Sequence, residues 1–151
     1  MKFCILFFML SSFFSINEIH AASSRQDSSY LVLKLGPLGV GAEMGSHSYF
    51  IAADVDTNLF GAWSSATIGK SFFPTNTFFI NTGLTYVNYR AEFIEEEENG
   101  IGINLRIGNE WKVGYSVIGA DWIGGSYCIN IKNKQQIPVI QMPKLRIGFA
   151  F

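Results

Sequence analysis

His47 is one of two histidines in the chain, and it stands between two hydroxyls, Ser46 and Ser48. An imidazole that titrates near neutrality beside a serine is the pairing that nucleophilic acyl transfer uses, with the base drawing the proton from the hydroxyl. That chemistry also needs an acidic group to orient the base and a hydrogen bond from hydroxyl to base. Neighbouring residues of a strand point to opposite faces, so His47 and Ser48 could not meet there, and a turn histidine is the expected role. Cys128 has no predicted histidine near it and reads as an inert buried thiol. The acidic run Glu95 to Glu98 could chelate a divalent ion, yet it lacks the alternating spacing and turn glycine of a calcium loop, so a solvated loop is expected. Asp54 and Asp56 are read as flanking a turn and have the same two readings. No phosphate-cradling glycine loop, zinc spacing or dinucleotide motif occurs, so no catalytic residue, metal ligand or cofactor is expected.

The elements that position these residues are strands. Leu31, Leu33 and Leu35 alternate with Lys34 up to Gly36-Pro37, where a bulge or tight corner is expected. Alternation resumes with Leu38, Val40, Ala42 and Met44 opposite Glu43, turns at Gly45 to Ser48, and continues through Tyr49, Ile51, Ala53 and Val55. Leu59 to Lys70 reads as a strand whose faces the pattern does not fix, because Trp63 conflicts with Phe60, Ala62, Ala66 and Ile68. Phe78, Ile80, Leu84 and Tyr86 form one apolar stripe, and Ile101, Ile103, Leu105 and Ile107 form another after a loop from Glu92 to Gly100. Lys112-Val113-Gly114 is short enough for a hairpin turn. Ile118, Ala120 and Trp122 follow, and Gly124-Gly125 marks a second bulge, beyond which Tyr127 and Ile129 face out. Lys132 to Pro138 reads as a loop. Seven segments are plain, and splitting the first at Gly36-Pro37 gives an even count of eight, each half about seven residues long.

The chain closes on Lys144 to Phe151, where Leu145, Ile147, Phe149 and Phe151 share one face and Lys144 and Arg146 the other. This end resembles the terminal signal of bacterial outer-membrane β-barrels, in which a closing strand with alternating apolar residues and a final Phe is read by the barrel-assembly machinery. The resemblance implies an all-β, antiparallel up-and-down transmembrane barrel of eight strands, similar to the small porin-like proteins, with Leu145, Ile147, Phe149 and Phe151 as its assembly signal. Alternation then places Lys34, Glu43, Arg106, Glu110, Asp121, Lys144 and Arg146 on the non-lipid side. A barrel of eight strands is just wide enough for its own side chains, so these charges are expected to neutralise one another as a structural network, with Glu110 a partner for Arg106 or a neighbouring cation and no large pore.

The other terminus agrees with export. Met1-Lys2 precedes an apolar run from Phe3 to Ile16, and small residues follow at Ala21 and Ala22, the pattern of a cleavable secretory signal. Residues 1–21 are read as that signal and 22–151 as the barrel. The run is shorter than the ~18 apolar residues of a helical span. Removing it leaves Cys128 as the lone cysteine, which excludes an internal disulfide. Eleven basic against 12 acidic residues give no electrostatic case for nucleic acid, while 15% aromatics and 15 glycines against 4 prolines fit short strands and tight turns. The expected place is the outer membrane of a Gram-negative cell envelope, as a monomer in contact with outer-membrane lipid and lipopolysaccharide, with a structural or surface-interaction role. Two alternatives differ in class. One is a lipid A-modifying enzyme using His47, by its resemblance to outer-membrane deacylases and acyltransferases that hold His and Ser in a barrel wall, although no family motif surrounds His47. The other is a secreted lipocalin-like barrel, which would turn its apolar faces inward around a ligand. Amino-terminal sequencing of the purified exported protein should read a start after Ala21 or Ala22. Retention of Met1 would refute the signal.

Overall fold

Alternation along each segment leaves every strand with one apolar and one polar face, and closing the sheet on itself is the arrangement that satisfies all backbone edges at once. The computed structural model describes residues 28–46, 48–58, 61–72, 77–91 and 97–151. The signal segment, His47, Glu95 and Glu96 lie outside the described residues. The strands are β1 (Tyr30–Gly36), β2 (Gly39–Ser46), β3 (Tyr49–Asn58), β4 (Gly61–Phe72), β5 (Phe78–Ala91), β6 (Glu97–Val113), β7 (Ser116–Asn130), β8 (Gln136–Gln141) and β9 (Lys144–Ala150). Each pairs antiparallel with its neighbour in sequence up to β7. β8 pairs with Gly124 to Ile129 of β7, and β9 with Ser116 to Asp121. The two therefore follow one another along β7 as a single stave interrupted at Met142-Pro143. β9 pairs with β1, from Tyr30 opposite Ala150 to Leu35 opposite Leu145, and closes an eight-stranded up-and-down barrel. Ser29 and Phe151 extend that seam by exchanging backbone hydrogen bonds of 2.8 and 3.0 Å.

Several local features differ from the sequence expectations. Gly36-Pro37 begins a two-residue hairpin turn between β1 and β2, with Gly36 opposite Gly39, and is not a bulge within one strand. The β6–β7 turn falls one residue later than expected, at Gly114-Tyr115. Gly114 has φ of 62°, a left-handed conformation suited to the first central position of a hairpin turn, where a side chain would be strained. The irregularity near Gly124-Gly125 sits slightly earlier: register shifts between Ile107 and Gly108, Trp122 is the extra residue between Asp121 and Ile123, and the inward parity of β7 changes there. β6 starts at Glu97, so the acidic run is partly strand, with Glu98 paired to Tyr89. β8 begins at Gln136, inside the expected loop, after Asn130 Oδ1 accepts from the backbone N–H of Lys132 at 2.8 Å to turn the chain. On β4 Trp63 faces inward, which settles the segment whose faces the pattern left open.

The start of β1, Phe151 and the turns after β2, β4 and β6 lie at one end of the barrel, here the terminal end. The turns after β1, β3, β5 and β7 lie at the other, the loop end. The barrel interior is layered. Tyr30, Val32, Val117 and Ala150 form an apolar cluster at the terminal end, and Trp63, Val87, Cys128, Ile137 and Val139 form another at the loop end. Along the closing stave the order is Ala150, Arg146, Lys144, Val139, Ile137, so charge is confined between the two clusters. Inward glycines let so small a barrel curl. Gly69 and Gly83 face each other across β4 and β5, and a Cβ on Gly83 would collide with the backbone of Ile68 and Gly69. A Gly83→Ala substitution should therefore cost about 1–3 kcal/mol through forced backbone displacement. Urea unfolding of the folded protein in detergent would show it, and an unchanged midpoint would mean the wall has slack there.

Candidate functional site

The chemistry of this chain is concentrated in the lumen. Lys34, Glu43, Arg106, Glu110, Asp121, Lys144 and Arg146, the residues that alternation assigns to the inner face, are all buried there. Two further carboxylates join them. Asp54 and Asp56 do not flank a turn as solvated or chelating groups; they occupy inward positions of β3, each 2% exposed, and are integral to the ion-pair network. The signal was present in the sequence, since Tyr49, Ile51, Ala53 and Val55 facing outward force Asp54 and Asp56 to face inward.

Arg146 is the most densely bonded member. Its Nη2 lies 2.9 Å from Glu43 Oε1 and 2.9 Å from Glu110 Oε2, and its Nη1 3.0 Å from Asp121 Oδ1. Its Nε donates to Glu110 Oε2 at 3.1 Å, and the guanidinium stacks 5.0 Å from the Phe79 ring centroid. Planar fork geometry and five donors allow one arginine to serve three carboxylates from three different strands, which a lysine could not do with the same geometry. Glu110 is thus the partner of Arg146, not of Arg106. Tyr30 donates its hydroxyl to Glu43 Oε1 at 2.9 Å and covers the network from the terminal end.

On the loop side of Arg146, the lysines divide the β3 carboxylates. Lys34 Nζ donates to Asp54 Oδ2 at 2.7 Å, while Lys144 Nζ bridges Asp54 Oδ1 at 2.9 Å and Asp56 Oδ2 at 2.8 Å. Arg106 is held more loosely. Its Nη1 is 3.4 Å from Glu43, 3.6 Å from Asp54 and 3.7 Å from Asp121, distances of ion pairing outside good hydrogen bonds. Its Nε donates to Asn104 Oδ1 at 3.2 Å, and its guanidinium lies 5.5 Å from the Phe50 centroid. Neutral polar groups continue the lumen beyond it: Asn104 donates to Ser126 Oγ at 2.9 Å, and Thr67 to Thr85 at 3.0 Å.

Such a cluster is suited to holding strands together across the lumen. Every carboxylate named has a cation within ion-pair distance. Cys128 lies in the loop-end apolar cluster, away from this network, and Leu145, Ile147, Phe149 and Phe151 face outward on the closing stave. Comparison with family models, curated proteins and solved structures found no match.

Unequal bonding of the two arginines gives a test. Arg146→Met removes the closest cation from Glu43, Glu110 and Asp121 in a buried setting and should cost about 3–5 kcal/mol. Arg106→Met should cost distinctly less. Denaturant midpoints of the two variants, compared with the parent, decide it, and equal losses would show that the contacts of Arg146 carry no special weight.

Proposed function

We propose that the protein is a small outer-membrane β-barrel of structural or surface-interaction type, with a filled lumen and no large pore. The observation that carries this reading is the polarity of the wall: large apolar side chains face outward on every stave, while buried charges are confined to the inside. Leu33, Ile68, Leu84, Ile103 and Ile140 are each more than half exposed and come from five different staves. A soluble monomer rarely presents an apolar surface that encircles it, whereas a bilayer is the solvent such a surface fits. A lipocalin-like barrel has the opposite polarity and is not favoured.

A second feature supports the same reading. Tyr49, Phe72, Phe78, Tyr115, Phe149 and Phe151 are exposed around the terminal end, the arrangement of an interfacial aromatic girdle. Lys70 stands among them, its Nζ 5.8 Å from the ring centroids of both Tyr49 and Phe72, in the manner of a lysine that lays its stem along apolar surface and keeps its charge at the interface. The start of β1 and Phe151 lie at this side, which fits the periplasmic face, and the opposite end fits the cell exterior. β5, β6 and β7, with 14, 17 and 15 residues, exceed the ~9–11 that a tilted span needs. β1 and β2, with 7 and 8, fall short of it.

The role follows as anchoring and display: a rigid barrel held in lipid and presenting its loop end outward, inserted by the barrel-assembly machinery. Catalysis by His47 is not part of this reading. The mature protein should fractionate with outer membranes and migrate on gels in a heat-modifiable way. Ile103→Lys should lower its stability by about 2–4 kcal/mol if that position is near mid-bilayer. Lipid A from cells expressing wild-type protein, His47→Ala or no protein should have the same mass spectrum. Recovery in a soluble fraction would overturn the membrane reading, and an acyl-chain change confined to the wild type would establish the enzymatic one.

A further inference from the structure

The barrel wall is incomplete at the loop end. β1 ends at Gly36, beside Pro143, and the edge it turns to the closing stave pairs with β9 and not β8, so among the described residues β8 is paired on one edge alone, to β7. Pro138 lies within β8 and Pro143 just after it. Proline offers no N–H to a neighbour, and within sheets it is confined to edges and strand ends, so the sequence itself favours an unpaired edge here. At this gap lies a cavity of about 650 Å³, within the size range of small-molecule sites.

The lining of the cavity crosses the wall. Trp63, Tyr89 and Val139 belong to the inner face, whereas Ile140, Met142 and the hairpin residue Leu38 are exposed. Glu98 and Gln136 add polar side chains, beside the Tyr89 hydroxyl and the Trp63 N–H. A second apolar groove runs over Gly124 and Gly125 on β7 and reaches the same Pro138, Val139 and Ile140. Inward, the space borders the loop-end apolar cluster, and Lys144 with its partners Asp54 and Asp56 on β3 lies deeper in the lumen. The Trp63 indole Nε1 is buried with no hydrogen-bond acceptor among the described residues.

We propose that this gap is a lateral port through which one alkyl chain of an amphiphile enters the loop end of the lumen, its head group remaining at the rim by Gln136 and Glu98. The inference rests on the membrane reading above, because lipid is what meets the outer wall. An apolar blind space continuous with an apolar exterior favours a hydrocarbon chain over a polar solute, and the charge network ends the space before the chain could pass through. The open edge of β8 sits toward the loop end, where head groups and water can satisfy its free backbone groups, which the hydrocarbon centre could not. An ester or carboxyl oxygen drawn in behind the chain would be an acceptor for the Trp63 N–H.

Tryptophan quenching tests this in the full mature protein reconstituted in vesicles. A variant with Trp111→Phe and Trp122→Phe leaves Trp63 as the reporter inside the port, and one with Trp63→Phe and Trp111→Phe leaves the outer-wall Trp122 as reporter of insertion. One arm uses phospholipid with brominated acyl chains; the other adds a brominated free fatty acid to plain vesicles. Trp63 should be quenched by brominated chains, and filling the port with Val139→Phe, or with Ile137→Phe, should remove most of that quenching while heat-modifiable migration persists. Quenching in the first arm identifies membrane lipid as the source, and quenching in the second arm alone identifies a free amphiphile. If Trp122 is quenched but Trp63 is not, or if quenching of Trp63 survives both filling substitutions, the port is refuted and the membrane reading stands. If Trp122 itself is unquenched, both fall.

Discussion

Burial of charge in a tube too narrow for water to solvate it is the constraint on which the rest of this structure depends. A guanidinium or carboxylate there is tolerable only with opposite charges at bonding distance, so the lumen admits very few arrangements of the staves around it. Arg146 on β9 reaches Glu43 on β2, Glu110 on β6 and Asp121 on β7, and Lys144 reaches Asp54 and Asp56 on β3. A one-residue slip of any of these strands would turn its charges out to the apolar side and its apolar residues in. Register is thereby fixed from within, by pairs that lie far apart in sequence.

Much of this was legible in the residues. Strict alternation from Leu31 to Leu35 and from Lys144 to Phe151 is a period-two signal that packing could only confirm, and the same parity places the charged residues inside. What escaped were features that period alone does not encode. Asp54 and Asp56 sit close to the end of β3 and resemble turn residues by type, although the parity of their own strand contradicts that. Trp63 is large and apolar yet inward, because the loop end of the lumen is an apolar layer, and no local pattern announces where a charged interior becomes an apolar one. Shifts of one or two residues at Gly114 and Trp122 arise from turn and bulge geometry, which depends on the partner strand as much as on the sequence of the turn itself.

The wall and its contents are matched in a further way. Inward glycines bring adjacent backbones close where β4 meets β5, the Arg106 side chain lies where a Cβ on Gly124 would stand, and each of the two lumen arginines lies against an aromatic ring. A wider barrel could have carried side chains at every inward position and would then have needed water to fill its centre. Here small residues in the wall and long charged ones reaching across it go together in the charged layer of the lumen.

The seam between β1 and β9 gives the protein a definite order of completion. The stave that carries Arg146 and Lys144 follows the other strands along the chain, yet the carboxylates they neutralise lie on strands that precede it, and Ser29 at the start of the barrel bonds to Phe151 at its end. A chain that lacks its final residues therefore lacks both the strand that shuts the cylinder and the cations that make its interior tolerable. Closure of the cylinder and neutralisation of its buried carboxylates are thus one event and not two.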